Sequence, residues 1–211
     1  MLKHILTFVS VLALAANVSA QTAVYRNPVI GSSCPDPTIL RASDGSFYLY
    51  GTEDTRNVPV YHSTDLVNWQ FQGTAFTDAS RPQWNPKGNV WAPDINKIGD
   101  KYVLYYAKSE WGGEWDAGVG VAVADSPQGP FTDHGCIINS RKIGIKNCID
   151  PFFIEDGGRN YLFWGSFHGI YGAELTPDGL ALKPDVKPQK VAGNFMEGTY
   201  IKRHSGYYYL F

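Results

Sequence analysis

The chain is poor in cysteine, in charge of either sign and in long hydrophobic runs. Its 211 residues hold only Cys34, Cys136 and Cys148, an odd count that allows at most one internal bridge. No CxxC pair and no zinc-type cysteine–histidine spacing occurs, which excludes a disulfide scaffold and a structural zinc domain. Eighteen basic residues face twenty acidic ones, for a net charge of −2, and like charges never cluster. A nucleic-acid footprint and a polybasic membrane anchor are therefore excluded. After residue 20 no apolar run is long enough to span a bilayer as a helix. A sustained 3.6-residue apolar stripe is missing as well, which argues against a helical core.

Aromatic side chains are abundant. They make up 14% of the chain within a hydrophobic share of 44%, enough apolar surface to exclude intrinsic disorder. The 22 glycines and 13 prolines are scattered without a period, as in a chain with many tight turns. The first twenty residues stand apart. Lys3, the apolar stretch Ile5 to Ala16 and the small-residue site Val18-Ser19-Ala20 read as a signal peptide over residues 1–20. The mature protein is then expected to start at Gln21 and to be secreted or periplasmic.

Self-similarity organises the remainder. Four segments start at an acid, run through a short apolar strand, turn at a glycine-containing signal and return along an aromatic strand. They start at Asp36, Asp94, Asp150 and Glu197, with turns at Ser43-Asp44-Gly45, Gly99-Asp100, Glu155-Asp156-Gly157-Gly158 and His204-Ser205-Gly206. Strand, tight turn and strand is a hairpin signature. Two further strand candidates follow each of the first three hairpins. Four strands recurring at about 50 residues predict an all-β propeller, with a β-sandwich as the less fitting architecture. The blades are expected at about 27–88, 91–140, 147–192 and, in part, 195–211. Because a propeller closes its ring, a chain stopping inside a fourth repeat is expected to be the front portion of a longer, five-bladed domain.

The first strand of a blade lines the central channel, so the four acids are expected to converge there. Repulsion among them requires that some be partnered or protonated. Pro37 and Pro151 are expected to hold Asp36 and Asp150 in extended backbone.

The motifs Asn27-PVIGSSCPDPTI, Ser63-TDLVNW, Trp91-APDI, Gly129-PFTDHG, Ile149-DPFF, Gly165-SF and Glu197-GTYI, in this order, resemble glycoside hydrolase family 43. The resemblance runs through residues 27–211. It implies an inverting, five-bladed propeller enzyme that removes arabinose or xylose from plant cell-wall polysaccharide. Carried over by position, Asp36 matches the general base and Glu197 the general acid. Asp150 matches a third carboxylate that orients the acid and keeps its pKa high. Asp94, level with them in the repeat alignment, matches a structural aspartate. Asn147 and Ser166 match sugar contacts, and Trp91 is either an apolar sugar platform or an ordinary core tryptophan. In an inverting enzyme, base and acid stand ~6.5–9.5 Å apart to admit water.

The expected substrate is α-L-arabinofuranosyl linkages, most simply those of arabinan. A β-xylosidase and a noncatalytic sugar-binding propeller remain the alternatives. The chemistry needs no cofactor. Family members often hold a structural calcium in the channel, and none of His62, His134, His168 and His204 is assigned as a metal ligand. Cys34 and Cys148 are expected as free, buried thiols, since the first and third of five blades are not neighbours. No nucleic-acid partner and no membrane span are expected, and the full-length protein is expected to be a monomer.

Overall fold

A computed structural model describes residues 25–211, so the signal-peptide reading over residues 1–20 lies outside the described residues. Three four-stranded antiparallel meanders follow one another. The first comprises β1 (Thr38–Arg41), β2 (Phe47–Tyr50), β3 (Pro59–Ser63) and β4 (Gln70–Thr74). The second comprises β5 (Asn89–Ile98), β6 (Lys101–Ser109), β7 (Gly118–Ala124) and β8 (Thr132–Asn139). The third comprises β9 (Phe152–Asp156), β10 (Arg159–Trp164), β11 (Ile170–Glu174) and β12 (Gln189–Ala192). A hairpin of β13 (Ile201–His204) and β14 (Tyr207–Leu210) completes the described strands. The fold is all-β apart from one helical turn, α1 (Ser140–Ile143), which sequence periodicity cannot reveal at that length. Asn139 caps it by accepting from the Lys142 N–H at 3.1 Å, and Gly144 ends it in the left-handed conformation.

The middle sheet explains the continuous apolar run Tyr102-Val-Leu-Tyr-Tyr-Ala107. Successive strand side chains point to opposite faces. Tyr102, Leu104 and Tyr106 pack towards the first sheet against Tyr50, Val60 and Phe76. Val103 and Tyr105 pack towards the third sheet against Phe153, Leu162 and Trp164. A sheet buried on both faces has no use for alternation. Within the middle sheet the Tyr106 ring lies across its β7 partner Gly120, where a Cβ would collide with it.

The first strands are the ones that meet: β1 packs against β5, and β5 against β9. Sharp kinks precede β1, β9 and β13, with φ of +48° at Asp36, +55° at Asp150 and +67° at Gly198, and another of +40° falls within β5 at Ala92. The extended backbone expected at Asp36 and Asp150 is therefore not found. The steric preference of a residue before proline is overridden by tertiary hydrogen bonds next to the kink. The Pro35 carbonyl accepts from the Thr52 N–H at 2.8 Å, and the Ile149 carbonyl from the Gly165 N–H at 2.8 Å.

The pairing also corrects the repeat alignment. Ala92, Asp150 and Gly198 each lie six residues before the last residue of their strand, at Ile98, Asp156 and His204. Asp94 lies within β5, two residues past the kink at Ala92 and opposite Tyr105, and Glu197 lies one residue before its kink. The four acids thus do not share one repeat position.

Candidate active site

Asp36, Asp150 and Glu197 arrive from three different sheets and line one open cavity of about 1220 Å³. Trp91, Asn147 and Ser166 line the same cavity, so all six residues singled out by sequence are brought together. Asp94 also borders it, although its side chain is turned into the structure.

Each carboxylate has its own partners. Asp36 is exposed and accepts from the Thr52 hydroxyl at 2.5 Å. That hydroxyl accepts from the Ala92 N–H at 2.7 Å, so its proton is directed at Asp36. Glu197, also exposed, accepts from the Ser166 hydroxyl at 2.8 Å, and Ser166 is itself 1% exposed. Asp150 accepts from the Gly198 N–H at 3.1 Å. Because that N–H belongs to the peptide joining Glu197 to Gly198, Asp150 fixes the backbone that carries Glu197.

Burial, with smaller help from the charges of Asp36 and Glu197, pushes Asp150 up to about 7 against the pull of the Gly198 N–H. Asp94 is also pushed up to about 7, here by burial alone. Its carboxylate accepts from the Phe153 N–H at 2.7 Å, the Asn96 amide at 2.9 Å and the Thr38 hydroxyl at 3.4 Å. It thereby ties β1, β5 and β9 together below the cavity.

Trp91 has two roles at once. It packs on Ala107, Ala117 and Ile149, and its ring lies 5.6 Å from that of Trp111. Trp111 is 94% exposed on the cavity rim and was not singled out by sequence. Phe153 stacks on Tyr105 in the core, whereas Phe152 faces the cavity and contacts Tyr200. Asn147 has φ of +55°, with its N–H bonded to the Glu114 carbonyl at 2.8 Å.

Thr52 is the functional residue that sequence reasoning missed. A signal existed: Tyr50-Gly51-Thr52 and Trp164-Gly165-Ser166 are the same aromatic, glycine and hydroxyl triplet, and both hydroxyls bind a carboxylate of the cavity. Glycine is required in each. A Cβ on Gly51 would lie 2.5 Å from the Cys34 sulfur, and one on Gly165 would lie 2.2 Å from the Gly169 carbonyl oxygen.

All three cysteines are free; Cys148 is buried, and Cys34 is only half-buried rather than fully so. Among the described residues no three carboxylate, imidazole or thiol groups converge as a metal-ligand set. No helix among them is long and apolar enough to cross a membrane.

Asp36, Asp150 and Glu197, far apart in the chain, thus share one cavity, each with a separate donor. The profile of Glycosyl hydrolases family 43 matches residues 25–211, and the chain belongs to that family. A protein of Aspergillus flavus named "Probable arabinan endo-1,5-alpha-L-arabinosidase A" is 32% identical over 213 residues, covering 96% of this chain and 65% of its own. The native Bacillus subtilis arabinanase superposes with a TM-score of 0.73 at 28% identity, covering 85% of this chain and 65% of that one. The Cellvibrio cellulosa alpha-L-arabinanase complexed with arabinohexaose superposes with a TM-score of 0.71 at 26% identity, covering 85% and 64%. The chain thus spans about 65% of the length of these relatives.

Proposed function

We propose that the protein is an exported, monomeric glycoside hydrolase that cleaves α-L-arabinofuranosyl linkages of arabinan with inversion, on a five-bladed propeller. The observation that carries this reading is the convergence of Asp36, Asp150 and Glu197 on one cavity, each held by a different donor. The names of the relatives and the arabinohexaose bound to one of them support arabinan as the substrate. A cavity of about 1220 Å³ is larger than an ordinary small-molecule pocket and suits several sugar units.

The roles follow from the hydrogen bonds. Asp36, exposed and oriented by the Thr52 hydroxyl, takes a proton from water as that water attacks the anomeric carbon. Glu197 gives its proton to the leaving oxygen as the glycosidic bond breaks. Asp150 holds the Glu197–Gly198 peptide in place. Asn147 and Ser166 face the cleaved sugar, and Trp91 offers it an apolar face.

The test is an assay of the full chain on debranched arabinan, p-nitrophenyl arabinofuranoside and p-nitrophenyl xyloside. Arabinose or arabino-oligosaccharide release is expected, with the first product carrying inverted anomeric configuration by proton NMR. Asp36→Asn is expected to lower turnover by about 10²–10⁴-fold while sugar binding is retained. Release from the xyloside alone would replace the substrate with xylan-type linkages. Binding without any hydrolysis would make the protein a sugar-binding propeller.

A further inference from the structure

On the rim of the cavity, the loop between β6 and β7 carries Glu114, whose side chain and backbone both reach other segments of the site. Glu114 splits its two carboxylate oxygens between the segment leading into β9 and the loop between β10 and β11. Oε1 meets His168 Nε2 at 3.1 Å, and Oε2 meets Lys146 Nζ at 3.3 Å. The Glu114 carbonyl accepts from the Asn147 N–H at 2.8 Å, so backbone and side chain grip the same approach to Asp150. Hydrogen bonds from His168 and then Lys146 hold the Glu114 carboxyl below its ordinary range.

His168 leads directly to the acid. It lies two residues after Ser166, whose carbonyl accepts from the His168 N–H at 2.7 Å and whose hydroxyl binds Glu197. Between them, Phe167 exchanges backbone hydrogen bonds with the segment just before Glu197: its N–H to Met196 and its carbonyl to Phe195, each at 2.9 Å. Phe167 and Phe195 have φ of +55° and +65°, a conformation non-glycine residues keep only when neighbouring contacts hold it.

We infer that Glu114 is a positioning residue for Glu197, acting through His168 and the Ser166 loop while it anchors the Asn147 approach to Asp150. This rests on the hydrolase reading above. Glu114 touches none of the three acids, so its contribution is geometric: it sets where the proton donor stands relative to the leaving oxygen. Misplacing a catalytic group by about 1 Å costs on the order of 10²-fold in rate.

Steady-state kinetics of the full chain on debranched arabinan test this with Glu114→Ala, Glu114→Gln, His168→Ala and the Glu114→Ala/His168→Ala pair. Both alanine variants are expected to lose about 10- to 100-fold in kcat. KM is expected to stay within about twofold, because the loss is confined to the transition state. Melting temperatures are expected to change little, since half-exposed ion pairs add little stability. Glu114→Gln keeps an oxygen for the His168 N–H and is expected to recover part of kcat; it carries the test if the alanine variant does not fold. The double variant is expected to be no slower than the slower single one. Wild-type kcat in both alanine variants, a loss found only in KM, or effects that multiply in the double variant would overturn the inference while leaving the hydrolase intact. A wild-type protein inactive on every arabinose substrate would remove the hydrolase reading, and this one with it.

Discussion

Replacing Arg81 with methionine strands a carboxylate behind the site. Glu53 and Arg81 form an ion pair whose side chains are 3% and 6% exposed. Both Arg81 terminal nitrogens donate to Glu53, and one also donates to the Asn57 side-chain oxygen at 3.1 Å. With the guanidinium gone, Glu53 keeps only the Val90 N–H at 2.7 Å and the Asn57 N–H at 2.9 Å. Removing one partner of a buried pair costs about 3–5 kcal/mol, because the other charge is left uncompensated. At about 2–4 °C per kcal/mol for a domain of this size, the melting temperature falls by roughly 6–20 °C.

The pH dependence distinguishes this cause from lost packing. In the wild type, burial pushes the Glu53 carboxyl up, but Arg81 and the two backbone donors outweigh it and leave the pKa below its ordinary value of 4.5. The contribution of the pair is therefore complete above that value and lost as pH falls through the lowered one. In Arg81→Met the sign reverses, since the stranded carboxyl is held above its ordinary value. The deficit of the variant grows as pH rises and closes in acid, where Glu53 is protonated in both proteins. Urea unfolding at several pH values reads this directly, and Glu53→Gln/Arg81→Met is expected to recover most of the loss at neutral pH. A deficit constant across pH, or a single variant as stable as the wild type, would refute the reasoning.

Two further outcomes follow from the core. Asp94 and Asp150 are both pushed up to about 7, above the ordinary 3.8, so the stability their protonated forms contribute is lost as pH rises through 7. The urea midpoint is expected to fall between roughly pH 4 and 7 and to level off above that, and Asp94→Asn to flatten the slope; a level wild-type profile would contradict it. Gly120→Ala drives a methyl group to within 2.3 Å of the Tyr106 ring and is expected to destabilise by about 1–3 kcal/mol or more, read from the unfolding midpoint.

The hairpins were legible because their signals are local. Gly157-Gly158 and Ser205-Gly206 have positive φ at both positions, as a two-residue turn between twisted strands requires. The kinks were not legible. Asp36 and Asp150 precede proline, and the local rule favours extended backbone; the hydrogen bonds that reverse it come from Thr52 and Gly165, 16 and 15 residues away. Asp94 looked equivalent to the other acids by spacing, and only pairing with Tyr105 places it inside its strand.

Sequence alone determined the all-β repeat, the family and which acids to examine, because turn chemistry, strand alternation and ordered motifs are properties of neighbouring residues. Tertiary structure decided what each acid does. Asp36 faces water under a directed hydroxyl, Asp150 sits half-buried with its proton held near neutrality, and Asp94 is spent on joining three strands. An aspartate is the same residue in all three places; burial and the donors brought from distant segments set its charge, and neither exists until the sheets have packed.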